Sequence, residues 1–283
     1  MPKQSASAAE GDSPLLQAKH HGAPSVFQPE ALLREARRQK NLAVAPVPAI
    51  CLLDPDGDIL RHLRQLGAAR RHTGWACYHT DLFAFDCGGI EIGIIGCVVG
   101  APFAVLVAEQ LFASGCAFLV SITSAGQIVA RGSAPYFVLI DRALRDEGTS
   151  HHYLPAAAFA LAPDMALLAA VEAALQAQPG QAKVYRGAAW TTDAPYRETQ
   201  AAIAKAEALG VLAVEMEAAA LYAFATARGR AVVCFAHVTN VMAQSEGDFE
   251  KGEADGATAS LQVVAATAKA WLARSGGSGT AHL

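Results

Sequence analysis

The stretch GVLAVEMEAAALYAFATARG, residues 210–229, raises the question on which the reading of this chain turns. An apolar run, Val211 to Val214, meets two acids around a methionine, Glu215-Met216-Glu217. Eight residues without charge follow, Ala218 to Ala225, and Gly229 closes the segment. The pattern predicts a buried strand turning directly into a buried helix. Carboxylates at the edge of a core have two readings. Both can lie in a solvated first helical turn, where the helix dipole favours acids. Alternatively one faces a pocket while the other supports the turn or the first helical residues.

The rest of the 283-residue chain gives that strand–helix unit its context. Hydrophobic residues make up 53% and charged residues 17%, enough apolar surface for a large core. A net charge of −4 offers no basic footprint for nucleic acid, so a small-molecule partner is expected. The six cysteines, at 51, 77, 87, 97, 116 and 234, sit mostly in apolar runs and form no CxxC pair. Buried free thiols are therefore expected in place of a zinc or dithiol centre. No secretory core occurs near the N-terminus, and no apolar span of about twenty residues occurs anywhere. A cytoplasmic protein that makes no contact with membrane is the expectation.

Strand and helix patterns alternate outward from the central stretch. VPAICLLD, DLFAFDC, IEIGIIGCVVG, CAFLVSITSAG, APYFVLIDRAL, AKVYRGAAWTTD and RAVVCFAHVTN read as strands. Gly88-Gly89 predicts a hairpin. GDILRHLRQLGA, APFAVLVAEQLFASG, PDMALLAAVEAALQAQPG, YRETQAAIAKAEALG and GATASLQVVAATAKAWLARSG read as helices. Interleaving of this kind predicts a single α/β domain, a three-layer α/β/α arrangement with a mixed, largely parallel central sheet. The domain is expected over residues 26–274, after a flexible N-terminal segment (1–25) and before a flexible tail (275–283). Ligands of such domains gather at strand carboxyl ends. Those ends are TSAG (123–126), TTDAPY (191–196), VEME (214–217) and HVTN (237–240).

Several motifs fail on inspection. DPDGD (54–58) misplaces the glycine of a calcium loop and has Gln65 where the closing glutamate belongs. GCVVGAP is neither a dinucleotide fingerprint nor a Walker loop. His20-His21 and His151-His152 lack zinc spacing. No metal is expected.

Taken in order, the strand-end segments resemble the purine nucleoside phosphorylase and uridine phosphorylase superfamily. VLAVEMEAAALYAFA is similar to the family's Glu-Met-Glu strand and small-residue helix. LLDPDGDI stands where the family has Gly-Asp-Pro-x-Arg, and IIGCVVGAPFAVLVAEQL resembles its glycine-rich turn. FLVSITSAGQI resembles the strand ending in Arg-x-Gly-Thr-x-Gly. LRDEGTSHHYLP and TTDAPY are similar to segments of uridine-phosphorylase-like members. The resemblance runs from about residue 45 to 272.

It implies cleavage of a nucleoside's N-glycosidic bond through an oxocarbenium-like sugar. Glu217 would accept hydrogen bonds from the ribose hydroxyls, Met216 would pack on the sugar, and Glu215 would support the site. Asn240, with Thr239 before it, takes the place of a family Ser-Asp and would assist the departing base through its amide. Tyr196 or Tyr153 would stack on the base, and Arg197 or Gln200 would read it. Ser121, Ser124 and the Gly100 turn would orient the incoming oxygen. His237, within an apolar strand, reads more readily as a core histidine than as a catalyst.

One departure divides the reading. The family's phosphate-gripping arginines align with Gly57 and Ser121, and a third falls near Tyr78 or His79. A dianion needs charge-assisted donors, which Arg70, Arg71 or Arg131 would have to supply from elsewhere. Phosphorolysis, the family's commonest activity, is expected first, with inorganic phosphate as co-substrate and no other cofactor. Hydrolysis by a nucleosidase is the alternative, and a non-catalytic nucleoside-binding protein the second alternative. The resemblance also implies a homo-oligomer.

Overall fold

The structure, a computed structural model, describes residues 15, 17, 19–177, 182–242 and 246–277. Its strands are β1 (Ile50–Asp54), β2 (Arg70–Arg71), β3 (Phe83–Asp86), β4 (Glu91–Gly96), β5 (Phe118–Gln127), β6 (Tyr136–Asp146), β7 (Phe159–Leu161), β8 (Val184–Thr192), β9 (Val211–Glu215) and β10 (Ala231–Asn240). The helices are α1 (Pro29–Lys40), α2 (Asp58–Gln65), α3 (Ala101–Ala113), α4 (Met165–Gln176), α5 (Gln200–Ala208), α6 (Ala218–Arg228) and α7 (Ala257–Gly277).

One mixed sheet carries all the strands in the order β10-β6-β8-β9-β5-β1-β4-β3-β2, with β7 beside β6. β10 also pairs with β5, so β5, β10, β6, β8 and β9 close into a ring. Closure removes the free edges that β5 and β10 would otherwise expose. It also positions the site. β5 and β9 meet through only two antiparallel pairs, Gly126↔Val214 and Gln127↔Ala213, so their carboxyl ends converge. β10 runs parallel to β5 and sets His237 beside Ser124 and Asn240 beside Gly126.

Local sequence explains the elements. β1 and β9 are buried at every position, as an apolar run covered on both faces should be. The hairpin between β3 and β4 turns at Gly88 and Gly89, both at positive φ, and the Asp86 carboxylate accepts the Gly89 N–H. Helices α1, α3 and α6 pack together, while α2, α4 and α7 form a second group and α5 lies on β9. All eight residues from Ala218 to Ala225 are buried. Six of them are no bulkier than leucine, so α6 sits deep in the structure and meets α3 through Phe224 on Phe112, 5.7 Å between ring centres. Its one polar core side chain is fully bonded. The Tyr222 hydroxyl donates to the Ile140 carbonyl at 2.6 Å and accepts the Cys234 N–H at 3.1 Å.

Two differences from the sequence expectation have local causes. α1 falls in a run dominated by charge, where only Leu33 and Ala36 reach the core and the apolar period is faint. α7 continues through Gly277, three residues into the segment expected as tail, because the helix ladder propagates once formed. Of the two expected flexible segments, residues 1–14, 16, 18 and 278–283 lie outside the described residues. Within residues 19–25, Lys19 and His21 reach the domain: Lys19 Nζ is 2.9 Å from His152 Nδ1, and His21 Nε2 is 3.2 Å from the His151 carbonyl.

Candidate active site

The backbone leaves the strand at Glu215, and Glu217 becomes the N-cap residue of α6. Continued strand would have put both carboxylates on one face. The bend separates them instead. Glu215 turns inward and accepts the Thr191 hydroxyl together with the N–H groups of Glu217 and Ala218. It thus satisfies two of the orphan donors at the start of α6 and ties α6 to β8. Burial raises its proton affinity, and the Thr191 hydrogen bond opposes that rise.

Glu217 has a different environment. Its Oε1 accepts the Gly100 N–H at 2.7 Å, reaching across to the glycine-rich turn ahead of α3. Its Oε2 is buried without a hydrogen-bond partner among the described residues. The Thr123 hydroxyl lies beside the carboxylate. Burial, reinforced by the charge of Glu215, holds its proton affinity well above the ordinary carboxylate range. An unsatisfied buried oxygen costs roughly 1–3 kcal/mol, so it is a ready acceptor for a ligand hydroxyl.

Next to Thr123 opens a narrow cleft lined by Asp54, Asp56, Asp58, Ser124, His237 and Lys251. Both donors of Ser124 point at one carboxylate: the N–H donates to Asp56 Oδ2 at 2.6 Å and the hydroxyl to Asp56 Oδ1 at 2.7 Å. Asp54 shapes the turn, accepting the N–H groups of Gly57 (3.2 Å) and Leu60 (2.9 Å). Burial pushes its carboxyl up to about 7, with Asp56 and Asp58 adding to the rise. Among the described residues that line it Lys251 is the only lysine or arginine, and its ammonium pairs with Asp58 and lies 3.9 Å from Asp56. His237 stacks on Phe137 with ring centres 4.3 Å apart, and burial holds its imidazole down to about 4.

The other expected residues divide. Gly100 and Ser124 line up with Glu217 and Asp56 through the bonds just given, and Met216 lies between the two glutamates, half-buried. Thr239 and Asn240 are buried at the end of β10, and the Asn240 amide is engaged locally. Its Oδ1 accepts the Met242 N–H at 2.9 Å, and its Nδ2 donates to the Thr239 hydroxyl at 3.1 Å. One amide hydrogen and one lone pair are left for a ligand. Ser121 is buried, its hydroxyl without a partner among the described residues, three residues before Ser124 on β5. Tyr196 is 99% exposed on a short 3₁₀ turn. Tyr153 donates to Glu109 at 3.0 Å and packs edge-on against Phe224.

The arginines considered as substitutes are engaged elsewhere: Arg70 with Glu91, Arg71 with Asp81, and Arg131 over the Tyr185 ring. Asp56 and Lys251 carried no assignment from sequence. The available signals were an acid beside the glycine that replaces an arginine, and a single cation in the acidic run EGDFEKGEADG (246–256).

A protein-family model described as the phosphorylase superfamily matches residues 49–270. The chain belongs to that superfamily. Among solved structures it is similar to uridine phosphorylase from Vibrio fischeri ES114 in complex with 6-hydroxy-1-naphthoic acid. That likeness has a TM-score of 0.65 and 22% identity, covering 81% of this chain and 92% of the other. A second structure of uridine phosphorylase from Vibrio fischeri ES114 gives a TM-score of 0.64 at 23% identity, over 78% and 91% of the two chains. At such identities the likeness establishes the fold. No curated protein sequence matches the chain. Among the described residues, no helix is long and apolar enough to cross a membrane.

Proposed function

We propose that this phosphorylase-superfamily member cleaves the N-glycosidic bond of a nucleoside and that water accepts the sugar. The carrying observation is the occupancy of the acceptor end: Ser124's N–H and hydroxyl both donate to the chain's own Asp56 carboxylate. An incoming dianion would have to displace that carboxylate or share the cleft with it. Among the described residues Lys251 is the one lysine or arginine lining the cleft, and it is already paired. Like charges a few ångströms apart in a poorly solvated cleft repel by several kcal/mol. A neutral water meets no such barrier.

In this reading two ribose hydroxyls donate to Glu217 Oε2 and favour its ionised form, and the carboxylate offsets positive charge as the C–N bond breaks. Asn240 donates its remaining amide hydrogen to the departing base, which then takes a proton from solvent. Water held at Ser124 attacks the anomeric carbon and loses a proton to Asp56, giving free base and free sugar. Nothing in these steps calls for a metal or organic cofactor. A homo-oligomer is part of the same reading, to be tested by light scattering.

The test is release of free base from a panel of purine and pyrimidine nucleosides, with and without phosphate, alongside Asp56→Ala. Release independent of phosphate, yielding reducing sugar and falling at least a hundredfold in Asp56→Ala, is expected. Strict dependence on phosphate with formation of sugar 1-phosphate would restore the phosphorolytic reading. Binding without any cleavage would leave a nucleoside-binding protein.

A further inference from the structure

Lys251 is unused by the reaction as described so far, yet its placement is specific. It sits in the crossing from β10 to α7, which folds back onto the site: the Glu250 N–H donates to the Thr239 carbonyl at 2.8 Å. The Asp248 carboxylate accepts the Val241 N–H, and Glu250 accepts that of Gly252. Beyond Lys251 the chain turns sharply, with Ala254 and Asp255 both in the left-handed region and Gly256 at φ +81. Two successive non-glycine residues in that region are costly. The turn that carries them returns the chain across His237, so close that a methyl at Gly256 would stand 2.4 Å from the imidazole.

The ammonium thus enters a site that is otherwise acidic. Asp54, Asp56 and Asp58 come from the β1–α2 turn, Asp255 from the crossing and Glu217 from α6, while Arg61 on α2 is bonded to Asp58 and His237 faces the cleft from β10. Lys251 bridges Asp58 and, at 3.9 Å, Asp56. Its side chain is 20% exposed and Asp56's 28%, so the pair is partly shielded from solvent.

We infer that Lys251 is a positioning residue for the reaction: it anchors the Asp56–Asp58 turn from the base side of the site and holds the Asp56 carboxylate against Ser124. The inference rests on the hydrolytic reading, in which Asp56 receives the proton of water. It predicts an effect on turnover with little effect on nucleoside binding, since Lys251 touches the acceptor end and not the sugar hydroxyls. A loss of one oriented charge contact there corresponds to roughly a tenfold to hundredfold fall in kcat.

The experiment is steady-state kinetics on Lys251→Ala, Lys251→Arg and Asp56→Asn, with folding checked by circular dichroism and thermal midpoint. Lys251→Ala should lower kcat at least tenfold with KM within about threefold, and added ethylammonium should recover at least threefold. Lys251→Arg, which keeps the charge and the reach, should stay within about fivefold of the parent. An unchanged kcat in Lys251→Ala would overturn the inference. A loss confined to KM, or one that neither ethylammonium nor Lys251→Arg recovers, would overturn it equally. Should Lys251→Ala fold poorly, Lys251→Met keeps an unbranched stem without the charge and carries the same expectations for kcat and KM. Asp56→Asn separates the two levels. If it is inactive while Lys251→Ala is normal, the reading stands and the inference falls. If it is fully active, both fall.

Discussion

Glu217→Gln should make a more stable protein and a poor enzyme, and the two effects have separate structural origins. Glutamine keeps Oε1, so the 2.7 Å bond from the Gly100 N–H survives. The amide replaces Oε2, the atom left without a partner. The NH2 cannot accept the two charge-assisted bonds that sugar hydroxyls donate to Oε2 and can only donate in their place, a loss of roughly 1 kcal/mol each. Loss of the charge facing an oxocarbenium-like sugar adds about 1–2 kcal/mol. The sum, about 3–4 kcal/mol, corresponds to a fall in kcat/KM of roughly 10²–10³. Stability moves the other way. The folded carboxyl of Glu217 takes up a proton more readily than the unfolded one, because it is buried beside Glu215. Its contribution is therefore fully present below the unfolded value of about 4.5 and is lost as pH rises. Glutamine has no such loss. The variant should match the parent near pH 4.5 and exceed it by roughly 1–3 kcal/mol at pH 8. Denaturant unfolding at the two pH values, with base release at pH 7.5, reads both effects. A variant within tenfold of parental activity, or one destabilised at pH 8, would refute the reasoning.

Other expectations follow from the same contacts. Glu215→Ala removes the acceptor of three donors inside the core and should cost about 3–5 kcal/mol in urea unfolding. Tyr222→Phe orphans the Ile140 carbonyl and the Cys234 N–H without disturbing packing. It should cost about 2–4 kcal/mol while leaving KM unchanged. His237 is held down to about 4, so its contribution is present above about 6.5 and disappears as pH falls towards 4. His237→Phe should therefore flatten the acid side of the stability–pH curve by about 3 kcal/mol. Asp54, pushed up to about 7, acts oppositely. Asp54→Asn should gain relative stability between pH 4 and 7, seen as a rising difference in thermal midpoint.

Much of this protein was legible in one dimension. β1, β9 and α6 announce themselves because burial on all sides demands unbroken apolar sequence, and no tertiary information is needed to see it. The order of the strand-end motifs identified the superfamily, and Glu217 stood out as an acid in a segment that otherwise avoids charge. Tertiary structure decided what depends on distance across the sheet. Ring closure through β10 and β5 brings residues over a hundred positions apart into register, which no local period encodes. The division of labour between Glu215 and Glu217 depends on a single bend, and local spacing alone does not reveal it. Asp56 read as part of a failed calcium loop, and Lys251 as one charge in an acidic crossing. Their meaning appears only where Ser124 meets the first carboxylate and Asp58 meets the ammonium, because charge pairing is set by separation in space.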